Sequence, residues 1–318
     1  MKTLRHVMMA TVAAVMTTTG AMAADIAVIA GSIEDGFFNL IKKGVDDATL
    51  VVEANGGSVN YLRTQNYDNF GPDLVQLINT AVSQGVDGIA IPVWVPESQV
   101  PALQAAAEQG IKIMMYNSGA DVQKDISGIN YFGSDEYTAG VAGGEYLAKN
   151  GAKKIICHIQ VPGAVNLESR CAGVKEGGEA NGAEVINLPL PANLDQNVTG
   201  TSEALKAELL KDPSVDAVIT LAAWASDAAS VAIQQSRPTV MLGTFDMSPA
   251  VLDRIQNGTQ TMAIDQQPYL QGFLATTMLA ANIDFGTELA TDPVLTGPAI
   301  VDASNIESAL AGVEKGAR

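Results

Sequence analysis

The sequence predicts an α/β protein of two domains with parallel-sheet cores, and three observations carry that prediction. Five times a helical pattern runs into a short polar turn at glycine and then an apolar strand, at Gly56, Gly85, Gly110, Gly151 and Gly182. Glycine closes a helix at little expense because it alone takes the left-handed conformation without a Cβ clash, and the Val or Ile run behind it supplies the next parallel strand. The intervals between these glycines are 29, 25, 41 and 31 residues. The third is too long for a simple crossover and marks the passage from one domain into a second. The strands of the second series are also apolar on both faces, as parallel strands covered by helices must be.

Taken in order, residues 1–23 read as a secretory signal peptide. Lys2 and Arg5 give a positive start, Val7 to Met16 is an apolar run too short to span a bilayer, and Ala21-Met22-Ala23 is a small-x-small cleavage site. The first domain follows, with strands at 26–30, 58–62, 88–92 and 112–116 and helices at 36–53, 71–83 and 96–109. A helix at 136–149 opens the second series. Its strands are expected at 154–159, 184–188, 216–221, 239–243 and 261–265, with helices at 167–180, 198–210 and 225–235. The apolar helix at 269–281 returns to the first domain, which makes both domains discontinuous and joins them through several hinge strands.

Composition narrows the function. Removing the signal takes away Lys2, Arg5 and no acid, moving the formal charge from −17 to −19. Nucleic acid is excluded as a partner, since binding it needs clustered Lys and Arg. Later segments are too short for a transmembrane helix, and the cleavage region lacks a lipoprotein Cys, so a soluble periplasmic protein is expected. His158 is the one His outside the signal, so no metal site is expected. Cys157 and Cys171 either form one bridge or stay as buried thiols; the helix-to-sheet distance permits both.

In open parallel sheets ligands bind beyond the carboxyl ends of the strands. The post-strand segments here hold Gly31 to Phe38, Trp94, Asn117-Ser118-Gly119, Gln160 to Arg170, Ala222 to Asp227 with Trp224, and Phe245-Asp246. Aromatic faces suit the C–H face of a sugar ring, while planar amides, carboxylates and guanidinium bind neighbouring hydroxyls in pairs. No nucleophile–base pair and no phosphate-loop spacing occurs, so catalytic residues and cofactors are expected to be absent. Structural roles compete at each position. Phe37 and Phe38 start a helix whose core face accepts one of two neighbours. Trp94 and Trp224 are ordinary half-buried residues unless their matching post-strand positions count. Asp246 is also placed to cap a helix at Ser248-Pro249, and Arg170 to pair with Glu168 or Glu176 on the surface.

Segments 26–29, 36–44, 85–89, 133–140, 169–173, 243–246 and 265–272 together resemble, in order and spacing, the ribose-type periplasmic sugar-binding proteins of ABC importers. The likeness spans nearly the whole mature chain. It implies two Rossmann-like lobes with parallel-sheet cores joined by a three-strand hinge, with lobes at 24–132 plus 266–291 and at 133–265 plus 292–318. By position it implies Phe37 and Phe38 as stacking aromatics, Arg170 and Asp246 as hydroxyl binders and Gln266 as a hinge-side contact. Five positions depart from ribose binders: Asp35 replaces an Asn, Asn117-Ser118 replaces an Asp-Arg pair, and Leu194 and Ala222 replace a Phe and an Asn. These changes move the expectation from ribose to another monosaccharide, a deoxysugar or a polyol.

The expected function is therefore capture of a small polyhydroxylated ligand by a monomeric, non-enzymatic protein that delivers it to an inner-membrane ABC permease. The rival readings are a receptor for a furanosyl signal molecule or chemotaxis sugar receptor, and an exported carbohydrate-active enzyme using paired carboxylates such as Asp35 and Asp246.

Overall fold

The computed structural model describes residues 23–318. The expected signal peptide, apart from Ala23, lies outside the described residues. The chain alternates from β1 (Asp25–Ala30) through α1 (Phe37–Ala54), β2 (Ser58–Arg63), α2 (Phe70–Gln84), β3 (Gly88–Ile91), α3 (Pro96–Glu108) and β4 (Lys112–Tyr116) to β5 (Tyr131–Ser134). There follow α4 (Glu136–Lys149), β6 (Lys154–Ile159), α5 (Val165–Ala180), β7 (Glu184–Pro189), α6 (Val198–Lys211), β8 (Ala217–Thr220), α7 (Ala223–Ser236), β9 (Met241–Phe245), α8 (Pro249–Gln256) and β10 (Met262–Asp265). The last elements are α9 (Pro268–Phe285), β11 (Val294–Gly297), β12 (Ala299–Val301) and α10 (Glu307–Glu314).

The strands form two six-stranded sheets, ordered β11-β5-β4-β3-β1-β2 and β12-β10-β9-β8-β6-β7. Every pairing is parallel except that of β10 with β12. Central strands β3 and β8 are buried along their whole length, as their unbroken apolar runs require. All five glycines that announced the βαβ steps take positive φ, between 74° and 111°. The strand order reverses between β1 and β3 in one sheet and between β6 and β8 in the other, and at such switch points the loops part to leave a crevice.

Three crossings join the lobes, between β5 and α4, between β10 and α9, and between β11 and β12. Helix α9 does return to the first lobe, where the Tyr269 hydroxyl donates to Asp47 at 3.0 Å and Gly272 lies against the Ile41 carbonyl. The first crossing falls at Ser134/Asp135 rather than 132/133, because Asp135 caps α4 by accepting from the Thr138 N–H at 2.8 Å. The third corrects the expected boundary more: residues 294–297 belong to the first lobe, where β11 extends the sheet beside β5. Strands β5, β11 and β12 run three or four residues and lack the long apolar run that reveals the others.

Helices α4 and α5 meet backbone to backbone. Gly140 and Gly144 face the carbonyls of Arg170 and Val174, and Gly173 and Gly177 face those of Tyr137 and Val141. A single methyl at any of the four would overlap the opposite chain. Beside this seam Cys157 of β6 and Cys171 of α5 are joined in a disulfide, with Cα atoms 5.8 Å apart.

Candidate functional site

Between the two switch points lies a cavity walled by both lobes. Its first-lobe wall is aromatic. Trp94, in the loop after β3, is 3 % exposed; its indole stacks on Phe70 at 5.3 Å and meets the edge of Phe38 at 5.4 Å. Gln99 holds that loop, accepting from the N–H groups of Trp94 and Val95 at 2.9 Å and donating to the Pro92 carbonyl at 2.8 Å. The indole N–H donates to Asn117 Oδ1 at 3.1 Å.

Asp35 enters from the loop after β1. Its two oxygens accept from the Phe37 N–H at 3.0 Å and the Tyr67 hydroxyl at 2.9 Å, and Arg63 grips the loop by donating to the Asp35 and Gly31 carbonyls. Burial pushes the Asp35 carboxyl up despite those donors. Asp195, from the turn after β7, lines the same cavity. Burial, with the charge of Asp35 added, raises its carboxyl to about 7.

The second-lobe wall rests on a chain of charged hydrogen bonds. Glu136 at the start of α4 accepts from Arg170 Nε of α5 at 2.5 Å. Arg170 donates onward to Gln266 Oε1 at 2.6 Å and to the Leu221 carbonyl at 3.2 Å, with its guanidinium 4.5 Å over the Phe245 ring. The Gln266 amide in turn donates to Asp246. Gln266 is a hinge residue at the second crossing, and its carbonyl accepts from Thr296 near the third at 2.7 Å. Burial raises the Asp246 carboxyl to about 7, against the pull of Arg170. Asn117 and Asp246, each directly after a strand, both take left-handed backbone with φ of 62° and 68°. Asn and Asp tolerate that region best among residues bearing a Cβ, and the turn aims each side chain inward.

Two acceptors in this wall have no partner: Gln160 Oε1 and Asn166 Oδ1 are buried and unbonded. Buried polar atoms are normally paired, so an unpaired acceptor on a cavity is poised for a hydroxyl donor. The lobes are in contact at the rim, where the Val165 N–H of α5 donates to the Trp94 carbonyl at 3.0 Å.

The structure thus brings together Asp35, Phe37, Phe38, Trp94, Asn117, Arg170, Asp246 and Gln266. Trp224 stands apart. Helix α7 begins at Ala223, so Ala222 takes the post-strand place in the cavity and Trp224, one step into the helix, lines an adjoining one. The salt-bridge partner of Arg170 is Glu136 rather than Glu168 or Glu176, and the pair is buried, not exposed. Ser248, not Asp246, caps α8, accepting from the Val251 N–H at 3.2 Å. Sequence reasoning missed Tyr67, Phe70 and Asp195, and did not single out Asn166 within the segment Gln160 to Arg170. The signal for the first two was the polar segment after β2, Gln65 to Asn69, with Tyr67 set in it and Phe70 directly behind; for Asp195 it was an acid in the segment after β7. Among the described residues no helix is long and apolar enough to cross a membrane and no Cys, His or carboxylate cluster is arranged for a metal.

The sequence matches the periplasmic binding protein domain over residues 26–288. It is 24 % identical over 287 residues to the xylose/arabinose-binding protein XylF of Sulfolobus acidocaldarius, covering 85 % of this chain and 69 % of that one. A carbohydrate transporter from Acidothermus cellulolyticus 11B, solved in complex with myo-inositol, superposes with a TM-score of 0.85 at 33 % identity, over 93 % of this chain and 99 % of the other. An ABC transporter solute-binding protein from Burkholderia graminis C4D1M in complex with D-arabinose gives 0.78 at 26 % identity, over 91 % and 98 %.

Proposed function

The chain belongs to the periplasmic binding protein family, and from that membership we propose that it captures a neutral polyhydroxylated ring between its lobes and delivers it to an inner-membrane ABC permease. The observation that carries this reading is the cavity lining. It offers a stacking wall of Phe38, Phe70 and Trp94 on one side and, on the other, carboxylates and amides in pairs, including the unpartnered Gln160 and Asn166 oxygens. Hydroxyls supply the donors those oxygens lack, and ring C–H groups supply the face the aromatics want. The inositol and arabinose held by the similar structures are of this chemistry. Asp35 in place of an Asn favours a ligand with one more hydroxyl hydrogen to give.

Binding needs no reaction, only tighter contact in the closed state than in the open one. Arg170, Gln266 and Asp246 are hydrogen-bonded to one another, so the protein itself fixes their dipoles and little ordering is left to binding. We place the protein in the periplasm as a monomer without catalytic activity. The test is a thermal-shift screen of residues 24–318 against myo-inositol, D-arabinose, D-xylose and deoxysugars, followed by calorimetry. A ligand at about 100 times its dissociation constant adds about 2.7 kcal/mol to stability. The reading fails if none of these rings raises the melting temperature, or if one of them is chemically altered after incubation.

A further inference from the structure

Trp224 is one of the two tryptophans of the chain, and the ring cavity does not use it. It lines a second cavity between the lobes, of about 350 Å³ and open to solvent, together with Glu34, Gln196 and Ser248. The two cavities share Asp35 and Phe37 from the first lobe and Ala222 and Asp246 from the second. These four residues line both cavities, so the two lie side by side across a common wall. Its lining repeats the chemistry of the first: an indole face, a carboxylate, an amide and a hydroxyl. Gln196 joins the two, donating to Asp195 of the ring cavity at 3.3 Å.

We propose that the Trp224 cavity is a second sugar subsite, so that the preferred ligand is a two-ring conjugate, a polyol or monosaccharide carrying a second polyhydroxylated ring in glycosidic linkage. The inference rests on the ring-binding function above and names the ligand more closely. The volume suits it, since ligand pockets run to about 300–1,000 Å³. A solvent-filled entrance has no need of an indole half-buried between lobes, whereas a sugar face stacks on one. The linkage oxygen has no hydrogen to give. Asp246, at the junction, has its carboxyl raised to about 7 by burial, and its protonated form donates to such an oxygen.

The test is calorimetry of the mature protein with matched probes: myo-inositol against 1-O-α-D-galactopyranosyl-myo-inositol, and D-xylose against xylobiose. The expected result is that in at least one pair the two-ring probe binds about tenfold more tightly than its one-ring counterpart. Trp224→Ala, checked for fold by circular dichroism, is expected to erase that advantage while leaving one-ring affinity within about twofold. Trp224→Phe keeps a stacking face and should retain part of it. One-ring binding with weaker or equal two-ring binding overturns the subsite alone, as does an advantage that survives Trp224→Ala. Failure of every probe overturns the ring-binding function on which the subsite rests.

Discussion

The backbone N–H of Val165 donates to the carbonyl of Trp94, 3.0 Å across the cleft, and so ties the second lobe to the loop that carries the main aromatic wall. Val165 is the first residue of α5, where proline is accommodated, and Ala164 before it is already extended, with φ −76° and ψ 114°. Val165→Pro therefore deletes this one N–H and little else. One hydrogen bond contributes about 0.5–1.5 kcal/mol, so ligand affinity should fall about 2- to 12-fold. Calorimetry measures the loss, and unchanged affinity would show that the bond does not hold the lobes closed.

Arg170→Ala should abolish most ligand binding and also destabilise the protein by about 3–5 kcal/mol, because it leaves Glu136 buried without its partner. Pairing it with Glu136→Gln removes the stranded charge. The double variant should regain most of the stability, read from urea denaturation, while still failing to bind. Recovery of binding along with stability would make Arg170 a scaffold residue only.

Asp195 makes ligand-free stability depend on pH. Burial pushes its carboxyl up to about 7 in the folded protein, against an ordinary value of 3.8. The native state then holds a proton that the unfolded chain has released, so this contribution is fully present below pH 3.8 and is lost as pH rises to about 7. The slope is at most about 1.4 kcal/mol per pH unit. His158, held neutral by burial with its pKa lowered to about 4, acts in the opposite sense on acidification. Asp195→Asn isolates the carboxyl: the variant should exceed the wild type in melting temperature at pH 7.5, and the gap should narrow at pH 5. A constant gap would mean that Asp195 titrates normally.

Replacing both Cys157 and Cys171 with alanine opens a loop of 14 residues. Chain entropy alone predicts a loss of about 3 kcal/mol for a loop near that length. Denaturant midpoints of the double variant measure it. Binding should also weaken, since Arg170 adjoins Cys171 on the same helix turn.

Much of this was legible in the sequence because it is written in local chemistry. The glycine stops and buried strands follow from backbone sterics and apolar runs, and the post-strand rule then names Asp35, Trp94, Asn117 and Asp246. What escaped depends on distance along the chain. Glu136 gives no local sign of meeting Arg170, 34 residues on. Nor does β11, whose Val294 pairs with Phe132 of β5, 162 residues back, and so moves the lobe boundary. Trp224 falls outside the ring cavity because α7 starts at Ala223, two residues before the expected 225, and each step into a helix turns a side chain by about 100°.

The glycine seam between α4 and α5 gives the second lobe a property no side-chain contact would. With backbone against backbone no side chain lies between the helices to re-pack, so sliding one along the other would drive Cα atoms into carbonyls. Glu136 at one end of α4 follows the chain crossing at Asp135, and Arg170 follows Glu136. The guanidinium is thus geared to the hinge: when the lobes swing, it travels at a fixed radius from the axis rather than lagging on a flexible arm. Variation at Gly140, Gly144, Gly173 or Gly177 should therefore be costly even as alanine, whose Cβ would overlap an opposing carbonyl oxygen, and any variant that still folds must have parted the two helices and carried Arg170 away from its place in the cavity wall.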